Sequence, residues 1–250
     1  MLQFEDVIAL ADELYAYEAR AATLYTLNGA DFTPGLPEDR RELIKVYTNR
    51  MAKAGAPGRP VYDALKLAAK RCPLCGHRDV STLDHHLPKT VYPLFCVTPV
   101  NLVPACSDCN KAKSDASSAT AADQTLHPYF DNVDQDPWLK AEVVQGTLPA
   151  LVFFADPPQH WTAGLADRVR HHFEVFGLAD LYGSQAAAEL AEIAYELAQI
   201  HEASGEQAVK DHLDLVATSR GMVNRNHWRT AAYRALADNS WYCSGGFAFT

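Results

Sequence analysis

Residues 72–113 read CPLCGHRDVSTLDHHLPKTVYPLFCVTPVNLVPACSDCNKAK. Two Cys-x-x-Cys pairs bound this segment with thirty residues between them, namely Cys72/Cys75 and Cys106/Cys109. Each pair is a tight turn that directs two thiolates to one point, and two such turns form the tetrahedral four-sulfur shell that zinc prefers. We therefore predict a structural zinc ion. Because a closed four-cysteine shell has no open position, this metal is not expected to carry out chemistry.

The cysteine pairs have other interpretations. A redox role of the thioredoxin type would use one pair and leave the other idle. Zinc-ribbon domains without catalytic activity carry the same arrangement, so the pairs alone favour binding modules and enzymes alike. Cys96 and Cys243 stand apart from the pairs and are predicted to be buried thiols. Evidence for a particular chemistry must come from the residues between the pairs.

The chain is acidic overall but basic around the cysteine pairs. It has 250 residues, of which 48% are apolar and 21% charged, as in ordinary globular proteins, and its net charge is -9. An acidic chain binds nucleic acid poorly, because phosphate contacts come from Lys and Arg. Between Lys70 and Lys113, however, six basic residues outnumber three acidic ones, which gives this region a net charge of +3. The local charge is compatible with a nucleic-acid substrate.

The start of the chain and its hydropathy predict a cytoplasmic protein with no membrane partner. The first residues, Met-Leu-Gln-Phe-Glu-Asp, have no basic character and no apolar block follows them, so we expect no secretory signal. No apolar run approaches the roughly 20 residues needed to span a bilayer. In the cytoplasm, paired cysteines indicate a metal or redox site in preference to a disulfide framework.

Apolar residues recur at helical spacing over most of the chain, which predicts a mostly helical protein. The elements predicted outside the cysteine-bounded segment are helices over 4–27, 37–54 and 60–70, a hairpin of strands 138–144 and 148–154, and helices that end before Gly177, begin near Ser184, follow Ser204 and contain Trp228. Asn28-Gly29 and Pro34-Gly35 are expected to break the chain between the first helices. We predict three parts: an N-terminal helical segment (1–70), a core with the zinc site (71–126), and a C-terminal hairpin with helices (127–250).

The residues between the cysteine pairs resemble the HNH endonuclease family. In that family a cysteine-pair zinc site encloses an Asp-His at the end of a first strand, an Asn-Leu at the start of a second, and a Cys-x-x-Cys-Asn-x-x-Lys sequence that enters a helix. Here these features occur in order as Asp84-His85, Asn101-Leu102 and Cys106–Lys113. The resemblance implies an α+β fold in which residues 71–126 form a ββα-metal core between helical segments. The flanks are similar in general character to defence-associated bacterial HNH proteins.

The resemblance also implies a role for each polar residue of the motif. Phosphodiester hydrolysis needs a deprotonated water and charge relief in the transition state. His85 would take the proton from water, since a neutral imidazole is a suitable base near neutral pH. Asp84 and Asn110 would offer a carboxylate and an amide oxygen to Mg2+ or Mn2+, which bind oxygen ligands. Asn101 would hold the loop that carries the base, and Lys113, one helical turn after Asn110, would neutralise a phosphate or the transition state.

The function expected from this resemblance is metal-dependent endonucleolytic cleavage of nucleic acid. DNA is the expected substrate, and defence against foreign DNA beside an ATPase partner is the expected context, by analogy alone. The part after residue 126 would position substrate or dock a partner. An RNase is an alternative, because nothing in the sequence reads a 2′-hydroxyl. A second alternative is a catalytically inactive zinc-containing module that binds nucleic acid or protein, which would suit the acidic net charge.

Overall fold

The protein consists of helices and two small sheets. The computed structural model describes residues 4–33 and 37–248, and the predicted break at Pro34-Gly35 lies outside them. The strands of the described residues form two separate two-stranded antiparallel sheets. The prediction of a mostly helical α+β protein is confirmed at that level. None of the helices in these ranges combines the length and the apolar character needed to cross a bilayer.

The chain divides into two compact units, Met1–Asp131 and Asn132–Thr250. Each unit has its own network of internal contacts. The finer division into three parts, with boundaries after residues 70 and 126, stays a prediction.

Helices form the N-terminal part of the first unit. They are α1 (Phe4–Ala21), α2 (Pro37–Lys45) and α3 (Arg59–Leu67), and a π-helical segment, Val46–Ala52, continues α2. The first helix stops short of the predicted residue 27 because Ala22 has a φ of +57°, a left-handed conformation that ends a right-handed helix. A 3-10 turn, Leu24–Thr26, follows in its place. Pro60 lies in the first turn of α3, where its missing N–H has no helical partner to lose.

The cysteine-bounded segment folds as two short strands followed by a helix. Strand β1 (Thr82–His85) pairs antiparallel with β2 (Leu102–Ala105), and α4 (Ser107–Lys113) follows β2. An apolar cluster joins these strands to the N-terminal helices; its buried members are Leu43, Tyr47, Met51, Tyr62, Leu83, Cys96 and Leu102. This packing fixes the end of β1, which carries the Asp-His pair.

A second apolar cluster holds the loop between β1 and β2. Phe95 of this loop is fully buried and meets Tyr15 of α1 edge-on, with ring centroids 5.1 Å apart. Phe32 also packs against Phe95, with ring centroids 4.6 Å apart. The loop after the Asp-His pair is therefore part of the core of the first unit.

The second unit is a hairpin packed with helices. Its elements are β3 (Leu139–Val144), β4 (Ala150–Ala155), α5 (Ala163–Val175), α6 (Leu178–Gly221) and α7 (Trp228–Ala237). The predicted hairpin is present, although its second strand begins at Ala150. Gly177 ends α5 with a φ of +57°, as predicted. Helix α6 begins earlier than Ser184, and Gly205, with a φ of +78°, breaks it where a new helix was predicted after Ser204.

Candidate active site and metal centre

The paired cysteines converge on one buried point. The Sγ atoms of Cys72, Cys75, Cys106 and Cys109 all lie within 4.8 Å of one another, and each side chain is buried. Four sulfurs about 2.3 Å from a central ion would lie ~3.8 Å apart in a tetrahedron. The dimensions and the donor set therefore fit, and the cluster could hold a structural metal such as zinc.

Local backbone geometry brings the thiols together. The Cys72 carbonyl accepts a hydrogen bond from Gly76 N–H at 2.7 Å, and Gly76 has a φ of +61°, which reverses the chain after the first pair. The second pair lies on the first turn of α4, where the Cys106 Sγ accepts from Cys109 N–H at 3.4 Å. Hydrogen bonds to the neighbouring cysteine thiols and burial raise the pKa of Cys109. A bound cation would reverse this shift, because thiolates are the ligating form.

An open, polar pocket of about 480 Å³ lies at the end of β1. Its lining includes Asp84, His85 and Asn110, which were predicted from sequence to act together. Lys89 and Lys111 also line it and supply positive charge. The pocket is thus a place where a carboxylate, an imidazole, an amide and ammonium groups meet.

His85 is held as a neutral imidazole. Its Nε2 lies 2.9 Å from the carbonyl oxygen of Cys96, and since a carbonyl can only accept, Nε2 carries the proton. Nδ1 then keeps a lone pair. Burial, helped by the nearby Lys89 and Lys113 ammonium groups, lowers the pKa of His85 to about 3. The tautomer leaves Nδ1 as the atom that can receive a proton, while so low a pKa makes the imidazole a weak base.

Asp84, which lines the pocket, is paired with Lys113. The Lys113 Nζ lies 3.2 Å from the Asp84 Oδ2 and also donates to the His85 carbonyl at 2.7 Å. Burial raises the pKa of Asp84, and the Lys113 ammonium opposes that shift. The position of Lys113 suits a residue that holds β1, a role that the sequence did not suggest. The phosphate-neutralising role expected for Lys113 stays a prediction that its burial does not favour.

Asn101 fixes the loop that follows the Asp-His pair. Its side chain is fully buried, its Oδ1 accepts from Leu87 N–H at 2.7 Å, and its Nδ2 donates to the carbonyls of Leu87 and Phe95 at 3.1 and 3.0 Å. Its own carbonyl accepts from His86 N–H at 2.8 Å. Asn101 is therefore a structural clamp on the backbone next to His85, in the place that the resemblance implied.

The structure adds pocket residues that the sequence did not single out. Tyr47 comes from the π-helical segment, and its ring contacts the His85 ring. No sequence signal could have found it, because the contact depends on how α2 packs against β1. Lys89 and Lys111 entered the sequence reasoning only as contributions to local charge. The positive charge of residues 70–113 predicted a basic surface, but it did not indicate which lysines line the pocket.

Comparisons with known proteins give one informative similarity. The chain is similar to Protein ea31 of Escherichia phage lambda, with 34% identity over 157 residues, which cover 61% of this chain and 53% of the relative. The chain thus spans about half the length of the curated relative it matches. No protein-family model matches the sequence. No solved structure matches it either.

Proposed function

We propose that this protein is a metal-dependent endonuclease of the HNH type that hydrolyses phosphodiester bonds in nucleic acid. The observation that supports this most directly is the meeting of Asp84, His85 and Asn110 in one pocket that Lys89 and Lys111 also line. Asp84, His85 and Asn110 are the groups to which the resemblance to HNH endonucleases assigns the cation ligands and the base. The arrangement of β1, β2 and α4 supports the proposal because it brings them together.

His85 is the proposed general base. Burial lowers its pKa to about 3, so the imidazole is neutral at physiological pH, and the negative charge of a phosphate in the pocket would raise that pKa towards the range of an effective base. The hydrogen bond from Nε2 to the Cys96 carbonyl fixes the tautomer, so Nδ1 can accept a proton from water. A base held in one tautomer and orientation needs no rearrangement before it acts.

The proposed catalytic cation is Mg2+ or Mn2+, held by Asp84 and Asn110. A carboxylate and an amide oxygen are hard donors, and a site with few protein ligands leaves positions for water and phosphate. Such an ion, when bound, would relieve negative charge on the reacting phosphate. Lys113 keeps the Asp84 side chain in place by pairing with its Oδ2.

The proposed substrate contacts are Lys89 and Lys111. Both line the pocket, so a phosphate that enters it would lie near ammonium groups. Ammonium groups bind phosphate oxygens as point charges. Two such contacts would make cleavage sensitive to salt, since each neutralised phosphate releases counterions.

The proposed role of zinc is structural. The cysteine cluster connects the segment before β1 to the first turn of α4, and Asn110 directly follows the last cysteine. Zinc in the cluster would therefore set the position of Asn110. Its four sulfur ligands leave no site for water, which separates it from the catalytic cation.

DNA is the proposed substrate, and defence against foreign DNA is the proposed context. A net charge of -9 makes an unaided search for nucleic acid inefficient. We propose that the second unit positions substrate or docks a partner such as an ATPase that concentrates DNA. An inactive zinc-containing binding module is the alternative that the same net charge favours.

A cleavage assay tests the proposal. Purified protein is incubated with plasmid DNA, and separately with RNA, in Mg2+, Mn2+ or chelator. We expect metal-dependent cleavage of DNA that His85→Ala lowers by roughly 10²–10⁴-fold. His86→Ala is the matched control, because His86 is the neighbouring histidine and is equally buried but does not line the pocket. Binding of DNA without cleavage in any metal would support the inactive module, and cleavage of RNA alone would support the RNase.

A further inference from the structure

An aromatic side chain from outside the cysteine-bounded segment contacts the proposed base. The Tyr47 and His85 ring centroids are 4.4 Å apart and their planes meet at 73°, an edge-to-face contact. Tyr47 is buried and lines the pocket. Together with the bond to the Cys96 carbonyl, this contact constrains the imidazole.

The segment that carries Tyr47 also fixes the other partner of His85. The Cys96 thiol donates to the carbonyl of Leu43, one turn before Tyr47, at 3.1 Å. Cys96 in turn offers its own carbonyl to His85 Nε2 at 2.9 Å. The same stretch of helix therefore holds both the ring contact and the hydrogen-bond acceptor of the imidazole.

The backbone around Tyr47 is unusual. Val46–Ala52 is π-helical, and π-helical turns are frequent at functional sites because they change the direction of a side chain within a helix. The Lys89 ammonium also lies over the Tyr47 ring, 5.7 Å from its centroid, within cation–π range. Tyr47 thus contacts the proposed base and a proposed phosphate-binding lysine at once.

We propose that Tyr47 is a positioning residue whose ring holds the His85 imidazole in the orientation needed for proton transfer. The N-terminal helical segment is then part of the active site. This inference rests on the proposed nuclease function of the pocket. Without the ring, the imidazole keeps one hydrogen bond and gains rotational freedom, and misplacement of a reacting group by about 1 Å can cost on the order of 10²-fold in rate.

The activity test compares a set of variants in the full chain. Tyr47→Leu should lower kcat at least about tenfold and change KM by a smaller factor, because the ring contacts the base directly and Lys89 only through a long cation–π contact. Tyr47→Phe keeps the ring and should retain most of the activity. The control for packing behind the ring is Tyr62→Leu, since Tyr62 is as buried as Tyr47 and contacts its ring at 6.5 Å between centroids, but does not line the pocket.

A spectroscopic test separates this inference from the nuclease proposal. In protein labelled with 15N-histidine, the His85 resonances, assigned by their loss in His85→Gln, should report a protonated Nε2 and a bare Nδ1. Tyr47→Leu should broaden or shift these signals, while Tyr62→Leu should leave them in place. If Tyr47→Leu does not fold, Tyr47→Met, which keeps apolar volume without a ring, replaces it.

Loss of kcat together with disturbed His85 signals, both restored in Tyr47→Phe, supports positioning by the ring. Unchanged His85 signals in Tyr47→Leu overturn it. A loss of kcat in Tyr62→Leu or in Tyr47→Phe as large as the loss in Tyr47→Leu also overturns it. If the wild-type protein cleaves no nucleic acid, the nuclease proposal fails and the resonances alone decide whether Tyr47 orients the imidazole.

Discussion

Lys113 and Asp84 form a buried ion pair, with Nζ and Oδ2 3.2 Å apart and both side chains 6% exposed. The same ammonium donates to the carbonyl of His85 at 2.7 Å. One lysine therefore connects α4 to the two residues at the end of β1. Removal of one member of a buried pair leaves the other charge without compensation, and this is far more costly than loss of a surface pair.

Replacement of Lys113 should destabilise the protein strongly. We expect Lys113→Met to lower the free energy of unfolding by about 3–5 kcal/mol, the usual cost of breaking a buried pair from one side. Denaturant unfolding measures this. Lys111→Met, on the exposed side of the same helix, is the control and should change stability by no more than about 0.5 kcal/mol. The double variant Asp84→Asn, Lys113→Met should recover part of the lost unfolding free energy. Equal destabilisation by Lys113→Met and Lys111→Met would argue against the Asp84–Lys113 ion pair.

The cysteine cluster should bind one zinc ion per chain. We expect Cys106→Ala to lose that metal and to melt at a lower temperature, because binding free energy at such a site is also folding free energy. Cys243→Ala is the control, because Cys243 is buried but lies outside the cluster. This variant should keep one zinc ion per chain. Metal analysis of freshly purified protein makes the comparison. Wild-type protein that is folded and free of zinc would refute the assignment.

Variants of the pocket should separate a base from a metal ligand. His85→Ala should lower cleavage by roughly 10²–10⁴-fold, the usual contribution of a general base, and no metal should restore it. Asn110→Ala should also be impaired, but excess Mn2+ should recover part of its activity because the defect is weak cation binding. Cleavage rates titrated with Mg2+ and Mn2+ test the distinction. Recovery of His85→Ala by Mn2+ would contradict the role of base.

Stability should depend on pH through His85. Burial lowers the pKa of His85 in the folded protein from an ordinary value of 6.5 to about 3. The unfolded chain therefore takes up the proton first as pH falls, so stability is complete above about pH 7.5 and is lost progressively from pH 6.5 towards pH 3. Between pH 7.5 and 5.5 the expected loss is about 1.4 kcal/mol.

Comparison with His85→Gln isolates this effect, since the variant lacks the titrating ring while protonation of the cysteines is common to both proteins. We expect denaturant unfolding without added divalent cations to show that, between pH 7.5 and 5.5, wild-type stability falls by about 1.4 kcal/mol more than that of His85→Gln. Parallel pH profiles of the two proteins would mean that His85 is protonated in the folded state at pH 5.5.

The sequence predicted those parts of the site that are local along the chain. The cysteine pairs, Asp84, His85 and Asn110 lie within one segment, and fixed spacing in short turns and strands was enough to bring them together. Asn101 could be placed because it directly precedes β2. The cysteines form one buried cluster, Asp84, His85 and Asn110 line one pocket, and Asn101 bonds to the loop that follows His85.

The remaining features depend on packing that no local pattern records. Tyr47 reaches His85 only because α2 continues as a π-helical segment against β1, and apolar spacing does not distinguish a π turn from an α turn. The resemblance implied that Lys113 would neutralise a phosphate, whereas packing brings its ammonium to 3.2 Å from the buried Asp84 carboxylate. The early end of α1 at Ala21 follows from the left-handed Ala22, a residue type that gives no warning of it.

Helix α4 has only seven residues, and a helix this short does not persist in water by itself. At one end, Cys106 and Cys109 tie it to the thiol cluster; at the other, Lys113 ties it to the end of β1. Asn110 therefore lies between two attachments, a cluster of thiols and an ion pair. Oxidants or chelators that act on the thiols would release the first attachment and leave the second, and the first turn of α4 beside Asn110 would then be held from one end alone.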